Sequence, residues 1–323
     1  MAPKMPRRFY KYRAFSHLTL ESLVADQLWY ADPVTFNDPL DTKPTLNADL
    51  DVRQLESALS RLLENRVRAE MKAAARTIKY NGPKTLDHIA LQSRRRAEQV
   101  IADVAYNATN PDYEFEDPHA FLLGQYLGEE LLRQYDKGVM SLARRATCPL
   151  MWSHYADQHN GICIGYSVPA RASNDIHSVE YGGTRFVDAS DVAKMLDGDD
   201  AARDRVDRAV LLRKAGDWRY EREWRLIGPK GLQDSPLELE EVIFGMRCKP
   251  PVAYAVAKAL ENRGRPVKFF QMQPQWGTFK LDKHPLDLDE LGASLPRRMV
   301  SVYEAFDDLD LEDVVPPSVS PAI

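Results

Sequence analysis

Glu221 and Glu223 stand two residues apart in the run of the chain richest in chemically capable side chains, 214–225, which also carries Lys214, Trp218, Arg219, Arg222, Trp224 and Arg225. Residues two apart in a strand project to one face, so both carboxylates share a face while Arg222, Trp224 and Leu226 take the other. Like charges on one face repel. The pattern therefore calls for a cation, Arg219 or Arg13, or for a ligand. The plainer alternative is a ladder of surface ion pairs.

Three further clusters could do chemistry. In Tyr10-Lys11-Tyr12-Arg13, alternation places the tyrosines on one face and Lys11 with Arg13 on the other. Arg13 is then a fixed fork for a phosphate or carboxylate, or else the two cations merely blunt an edge strand. The stretch 28–41 surrounds aromatics with turn formers, Asn37 and Asp38 preceding Pro39. It reads as a rigid loop, or as one that presents Tyr30, Asn37 or Asp38 to a ligand. In 151–161, Met151, Trp152 and Tyr155 share a helix side as ordinary packing does. His154 and Tyr155 could also line a pocket, with His154 able to move protons near neutral pH.

Several signatures are missing. The chain has no phosphate-cradling glycine loop and no Gly-x-Ser-x-Gly elbow. At about 100° per residue, His154 and His159 lie about 140° apart on a helix, too far to share a metal ion. Cys148, Cys163 and Cys248 are too widely spaced for a structural zinc site. No metal is expected.

The elements that must position these clusters follow from periodicity. Residues 9–13 read as a strand, 18–26 as a helix with Thr19 a possible cap, and 28–31 as a strand stopped by Asp32-Pro33. From 51 to 138 the chain reads as three helices, the first from 52 to 71, the second from 85 to 105 and the third opening at Asp117-Pro118. Beyond it, 139–142 is a strand, 150–159 a helix closed by a left-handed Gly161, and 162–166 a buried strand. Residues 178–181 follow as a strand and 191–213 as a helix broken at Gly198. Residues 222–227 alternate charged and apolar types, as a strand with one exposed face does. The last elements are strands at 241–245 and 267–270, with a helix at 251–262 between them. The class is α+β: one domain, 9–306, with a helical insertion at about 51–138 and an acidic, proline-containing tail at 307–323.

Composition narrows the function classes. The 323 residues are 44% hydrophobic and 28% charged with a net charge of -5, which suits a soluble globular protein and gives no general pull toward nucleic acid. No apolar run approaches the roughly 18–20 residues of a membrane span. The basic N-terminus lacks an apolar run of the secretory type. Three scattered cysteines suit a reducing cytoplasm. The charge is uneven, however. The stretch that opens at Arg53 and closes at Glu98 has eleven Lys/Arg against five Asp/Glu. This is either a solvated helical face or a surface that meets nucleic-acid phosphates.

The clusters in this order, Tyr10-Lys11-Tyr12-Arg13, Leu28 through Pro33 with Phe36-Asn37-Asp38-Pro39, Met151 through Ala156 with His159 through Cys163, and Trp218 through Leu226, resemble the bacterial family catalogued as domain of unknown function 2971. The strand at 139–142 departs from the Cys-Phe-Ser type common there. More loosely, the chain resembles the ADP-ribosyltransferase-like fold, in which an early strand bears Arg or His, the next bears Tyr or Ser, and a late strand bears Glu. Arg13, Tyr30 and Glu223 come in that order, and Glu221-Arg222-Glu223 is similar to the Glu-x-Glu of some members. That resemblance implies an enzyme consuming NAD. Glu223 would stabilise an oxocarbenium-like state and Glu221 would steer the acceptor, a protein or nucleic acid. Arg13, Tyr10, Tyr30, His154 and Tyr155 would hold the dinucleotide, with Tyr30 stacked on the nicotinamide. It further implies a role in bacterial defence or stress. The competing expectation is a binding or sensing module that works through the basic helices.

Overall fold

The computed structural model describes residues 5–80 and 82–297. The acidic tail at 307–323, the last residues of the expected domain, and Asn81 lie outside them. The chain opens with β1 (Phe9–Arg13), α1 (His17–Val24) and β2 (Gln27–Tyr30). The α1 cap is Ser16 rather than Thr19: the Ser16 hydroxyl accepts the Thr19 amide at 3.3 Å. Thr19 is buried inside the helix and donates back to the Ala14 carbonyl.

After the short β3 (Thr45–Asn47), helices α2 (Val52–Thr77), α3 (Thr85–Asn107) and α4 (Pro118–Arg133) follow. A reciprocal capping box between Asp51 and Gln54 starts α2. Asp117 caps α4 ahead of Pro118, as its sequence predicts.

Next come β4 (Lys137–Ala143), α5 (Pro149–Tyr155) and β5 (Ile162–Ser167). Between α5 and β5 the chain turns through three left-handed residues, Asp157, Gln158 and His159, with φ of 47°, 51° and 72°. The left-handed cap expected of Gly161 is therefore supplied by its predecessors. Gly161 is needed for a different reason: a Cβ there would overlap the Arg13 carbonyl.

Then follow β6 (Ile176–Ser178), β7 (Glu180–Tyr181), β8 (Phe186–Asp188), α6 (Ala189–Leu196), α7 (Asp200–Leu211) and β9 (Arg213–Lys214). Gly198, at φ +91°, makes the break between α6 and α7. A 3-10 turn at Gly216–Glu221 leads into β10 (Glu223–Pro229). The chain closes with β11 (Gly231–Asp234), β12 (Glu238–Phe244), α8 (Pro250–Ala259), β13 (Lys268–Pro274), β14 (Leu281–Pro285) and α9 (Leu288–Ser294).

Eight strands form the main sheet in the order β14-β13-β12-β5-β1-β4-β10-β6, antiparallel except where β12 runs parallel to β13. Two expectations change here. β1 is not an edge strand, because β5 and β4 cover both its sides. β10 is not a surface strand, because it lies between β4 and β6 with Glu223 and Arg225 buried. On one sheet face Phe9, Ile164, Trp224, Leu226 and Phe244 pack in a core shared with Leu23 of α1 and Val256 of α8. On the other, Tyr12 and Cys163 pack under Trp152 of α5. The helices at 52–133 do not close a core by themselves. Leu55, Leu59, Leu123 and Leu127 share theirs with Val192 of α6 and Val206 of α7, so the helical layer draws on two separate parts of the chain.

Candidate functional site

The backbone opens a slot between β1 and β4. β1 pairs with β5 over its whole length, from Phe9↔Tyr166 to Arg13↔Ile162, but with β4 only at Tyr10↔Ala143. Past Tyr10 the two strands part, and a hollow of about 280 Å³ lies between them. Lys11 and Arg13 line it from β1, Ser141 from β4 and Trp29 from β2. Tyr155 of α5 and the loop residues Phe36, Asn37 and Asp41 close its sides, and Lys214, Glu221 and Glu223 form the remaining wall. The register Tyr10↔Ala143↔Glu223 places Tyr10 and Glu223 on one sheet face, and alternation puts Lys11 and Arg13 on the other. Because the slot passes through the gap between strands, it takes side chains from both faces.

A buried charge network forms the acidic wall. Arg225 lies on the same face of β10 as Glu223 and donates to it through Nε at 2.9 Å and Nη2 at 3.2 Å. The same guanidinium reaches both oxygens of Asp41, at 2.7 and 2.9 Å, and the Leu211 carbonyl at 2.6 Å. Lys214 donates to Glu221 at 2.6 Å and to Glu223 at 3.0 Å, and it lies 3.5 Å from Asp41. Tyr155 donates its hydroxyl to Glu221 at 2.7 Å.

These contacts drive the two acids apart. Burial works to raise the Glu223 carboxyl, but Arg225 and Lys214 outweigh it and hold that carboxyl well below the usual range. Burial prevails at Glu221 over the opposing Lys214 and raises it. One site thus holds a fixed anion beside an acid able to carry a proton. Lys214 is opposed by burial, but Glu223 and Glu221 keep its ammonium above its ordinary pKa.

The expected residues separate into two groups. Arg13, Tyr10, Tyr155, Glu221 and Glu223 line one slot. Tyr30 does not: it is 4% exposed, and its ring packs so closely on Gly228 that a Cβ there would come within 2.8 Å of it. Burial and Asp175 push its hydroxyl up to about 12. β2 turns Trp29, 53% exposed, to the slot in its place. His154 is exposed beside Tyr155 and Tyr220 and is not in the slot lining. Asn37 lines the slot, whereas Asp38 stands outside the lining and accepts the Trp218 indole N–H at 2.7 Å.

The cations proposed from sequence for the acid pair are displaced by others. Arg219 bonds the Tyr181 carbonyl, and Lys214 and Arg225 take its place. Glu221 is not on the strand with Glu223. It ends the 3-10 turn, and Arg222 at φ 47° redirects the chain so that both acids still converge. Lys214, Asp41 and Arg225 all lay inside stretches singled out by sequence, but nothing in the sequence brings 41 to 225.

Residues 151–226 match the model of the family described as Protein of unknown function (DUF2971). That segment carries most of α5, all of β5, Lys214, both slot acids and Arg225. No curated protein and no solved structure matches the chain. Over the segment 151–226 the chain is therefore similar to the DUF2971 family.

Proposed function

We propose that the slot binds one end of an NAD-like dinucleotide and breaks its nicotinamide–ribose bond, transferring ADP-ribose to a protein or nucleic-acid acceptor. The observation that carries this reading is that Arg13 of β1 and Glu223 of β10, 210 residues apart in the chain, line the same slot. At about 280 Å³ the slot is at the small end of ligand pockets, which run from about 300 to 1,000 Å³. It therefore takes the nicotinamide riboside end, with the rest of the dinucleotide running past Arg13.

As the C1′–N bond breaks, its electron pair leaves with nicotinamide and positive charge builds on the ribose ring. Glu223, kept ionised, supplies the opposing charge. An ionised carboxylate has about four acceptor sites. Arg225 and Lys214 use three at Glu223 and Ser141 bonds the same carboxylate, so a ribose hydroxyl binds there by displacing Ser141. The acceptor's nucleophile adds to C1′, and its proton passes to Glu221, which Tyr155 and Lys214 hold in place. Trp29 offers an aromatic face to the cationic ring, and Arg13 a fork to the phosphates.

The test is nicotinamide release from NAD with protein and nucleic-acid acceptors present. Glu221→Gln is expected to lower kcat by about 10²–10⁴ and Trp29→Ala to raise KM. If the wild-type chain releases no nicotinamide, the reading falls. Glu223→Gln is a poorer probe, because a buried partner of Arg225 is lost with the charge and the melting temperature should drop.

A second reading, phosphate recognition by the α2–α3 pair, is favoured by one observation. Arg61, Arg66 and Arg68 pair with acids, but Lys72, Arg76, Lys79, Lys84, Arg94 and Arg95 are exposed without an ion pair among the described residues.

A further inference from the structure

We propose that Lys11, together with Arg13, forms a two-cation seat for a diphosphate group at the throat of the slot. Residues i and i+2 of a strand project to one face, about 6.5–7 Å apart along the backbone. That spacing matches an anion whose charge is spread over two linked phosphates better than a single carboxylate. Neither cation forms an ion pair among the described residues. The acids of the slot are on the opposite wall and are taken by Lys214 and Arg225.

Lys11 crosses the gap in the sheet and donates one hydrogen bond, to the Ser141 carbonyl at 2.9 Å. An ammonium has three donors, so two remain for a ligand. A narrow recess on the α1 side of β1 shares Lys11, Arg13 and Trp29 with the slot. The two cations therefore stand where the two spaces meet, with an indole beside them. A half-buried ammonium without a counter-ion is costly, and a bound diphosphate provides one.

The seat is linked to protons. Burial and then Arg13 pull the Lys11 ammonium down to about 8, against smaller opposing effects from Glu223 and Glu221. A diphosphate diester carries constant charge above pH 7, so binding must draw a proton onto Lys11 once the pH exceeds that value. Of the other groups around it, Lys214 is held above its ordinary value, Glu223 is held ionised, and Tyr10, Tyr155 and Tyr166 are shifted upward, while Arg13, Asp41 and Glu221 complete the surrounding charges.

The inference rests on the slot being a ligand site, but binding measured without turnover separates its failure from failure of glycosidic cleavage. Calorimetric titration of the full chain uses ADP-ribose, inorganic pyrophosphate, adenosine monophosphate and adenosine. Wild type is expected to bind ADP-ribose and pyrophosphate, with adenosine monophosphate weaker and adenosine at least tenfold weaker than ADP-ribose. Above pH 8 the ADP-ribose affinity should fall about tenfold per pH unit. Lys11→Arg should keep its affinity with no such fall up to pH 9.5. Lys11→Met should bind at least tenfold more weakly at pH 7, again without the pH dependence. Equal affinity for adenosine, for adenosine monophosphate or in Lys11→Met would overturn the seat, as would no binding at all or a flat wild-type pH profile. Binding of ADP-ribose with no cleavage of NAD would remove the enzyme reading and leave the seat in place.

Discussion

Arg225 is the largest charged side chain with no solvent exposure, and two acids rather than one hold it. Removing one member of such a buried set strands the rest. Arg225→Met should therefore cost about 3–5 kcal/mol in urea unfolding, and a cost below about 1 kcal/mol would mean that water reaches the network. Lys11 behaves in the opposite sense. Its pKa is about 8 when folded against a model value of 10.5. Between those values the unfolded chain holds a proton that the folded chain lacks, so stability rises with pH across that window. Below 8 the folded state carries the full cost of the buried ammonium. Lys11→Met should stabilise the chain at pH 7 by on the order of 2 kcal/mol, and the gain should fade by about pH 10.5. Urea midpoints at pH 7 and pH 10.5 check this, and an unchanged midpoint at pH 7 would show that Lys11 is compensated. A site residue that weakens the fold is the usual sign of stability given up for binding. The identities of Arg13, Glu221 and Glu223 as site candidates were legible from type and spacing. The choice between Tyr30 and Trp29 was not, since alternation says only that they face opposite ways.

The slot exists because β1 holds β5 along its length and leaves β4 after Tyr10, and the end of β1 is fixed by the turn before β5. Gly161 packs on the Arg13 carbonyl, and Gly245 on the His159 carbonyl. Gly161→Ala must push Arg13 out of register. It should destabilise the chain by about 2 kcal/mol or more and weaken ADP-ribose binding. Gly216→Ala, where a Cβ meets nothing within 4 Å, is the control and should leave both within about 0.5 kcal/mol of wild type. Equal behaviour of the two variants would detach the turn from the site. Helices were the elements most legible in sequence, since α2, α3 and α4 each repeat apolar residues over several turns and α2 and α4 carry their own caps. Short strands such as β3, β8 and β11 were not legible, because three or four residues hold too little periodicity to stand out from loops.

Across the molecule, the helical layer of α2, α3, α4, α6 and α7 shares one core, and the exposed cations of α2 and α3 lie on it. If they meet a nucleic-acid acceptor, binding should weaken steeply with salt. Lys72→Glu combined with Arg76→Glu and Arg94→Glu should flatten that slope without changing ADP-ribose affinity in the slot. A gel-shift series at rising salt checks this, and an unaltered slope removes these helices from acceptor binding. No described helix is long and apolar enough to cross a membrane. The amino-acid sequence alone determined the α+β class, the three long helices and the chemical types gathered near 10–13 and 214–225, because periodicity, caps and local spacing are properties of neighbours along the chain. It could not determine that β4 and β5 flank β1, that Asp41 meets Arg225, or that Lys11 lies in a gap in the sheet. Those depend on pairings between distant segments, and backbone hydrogen bonds between strands carry no mark of their partner in the local sequence.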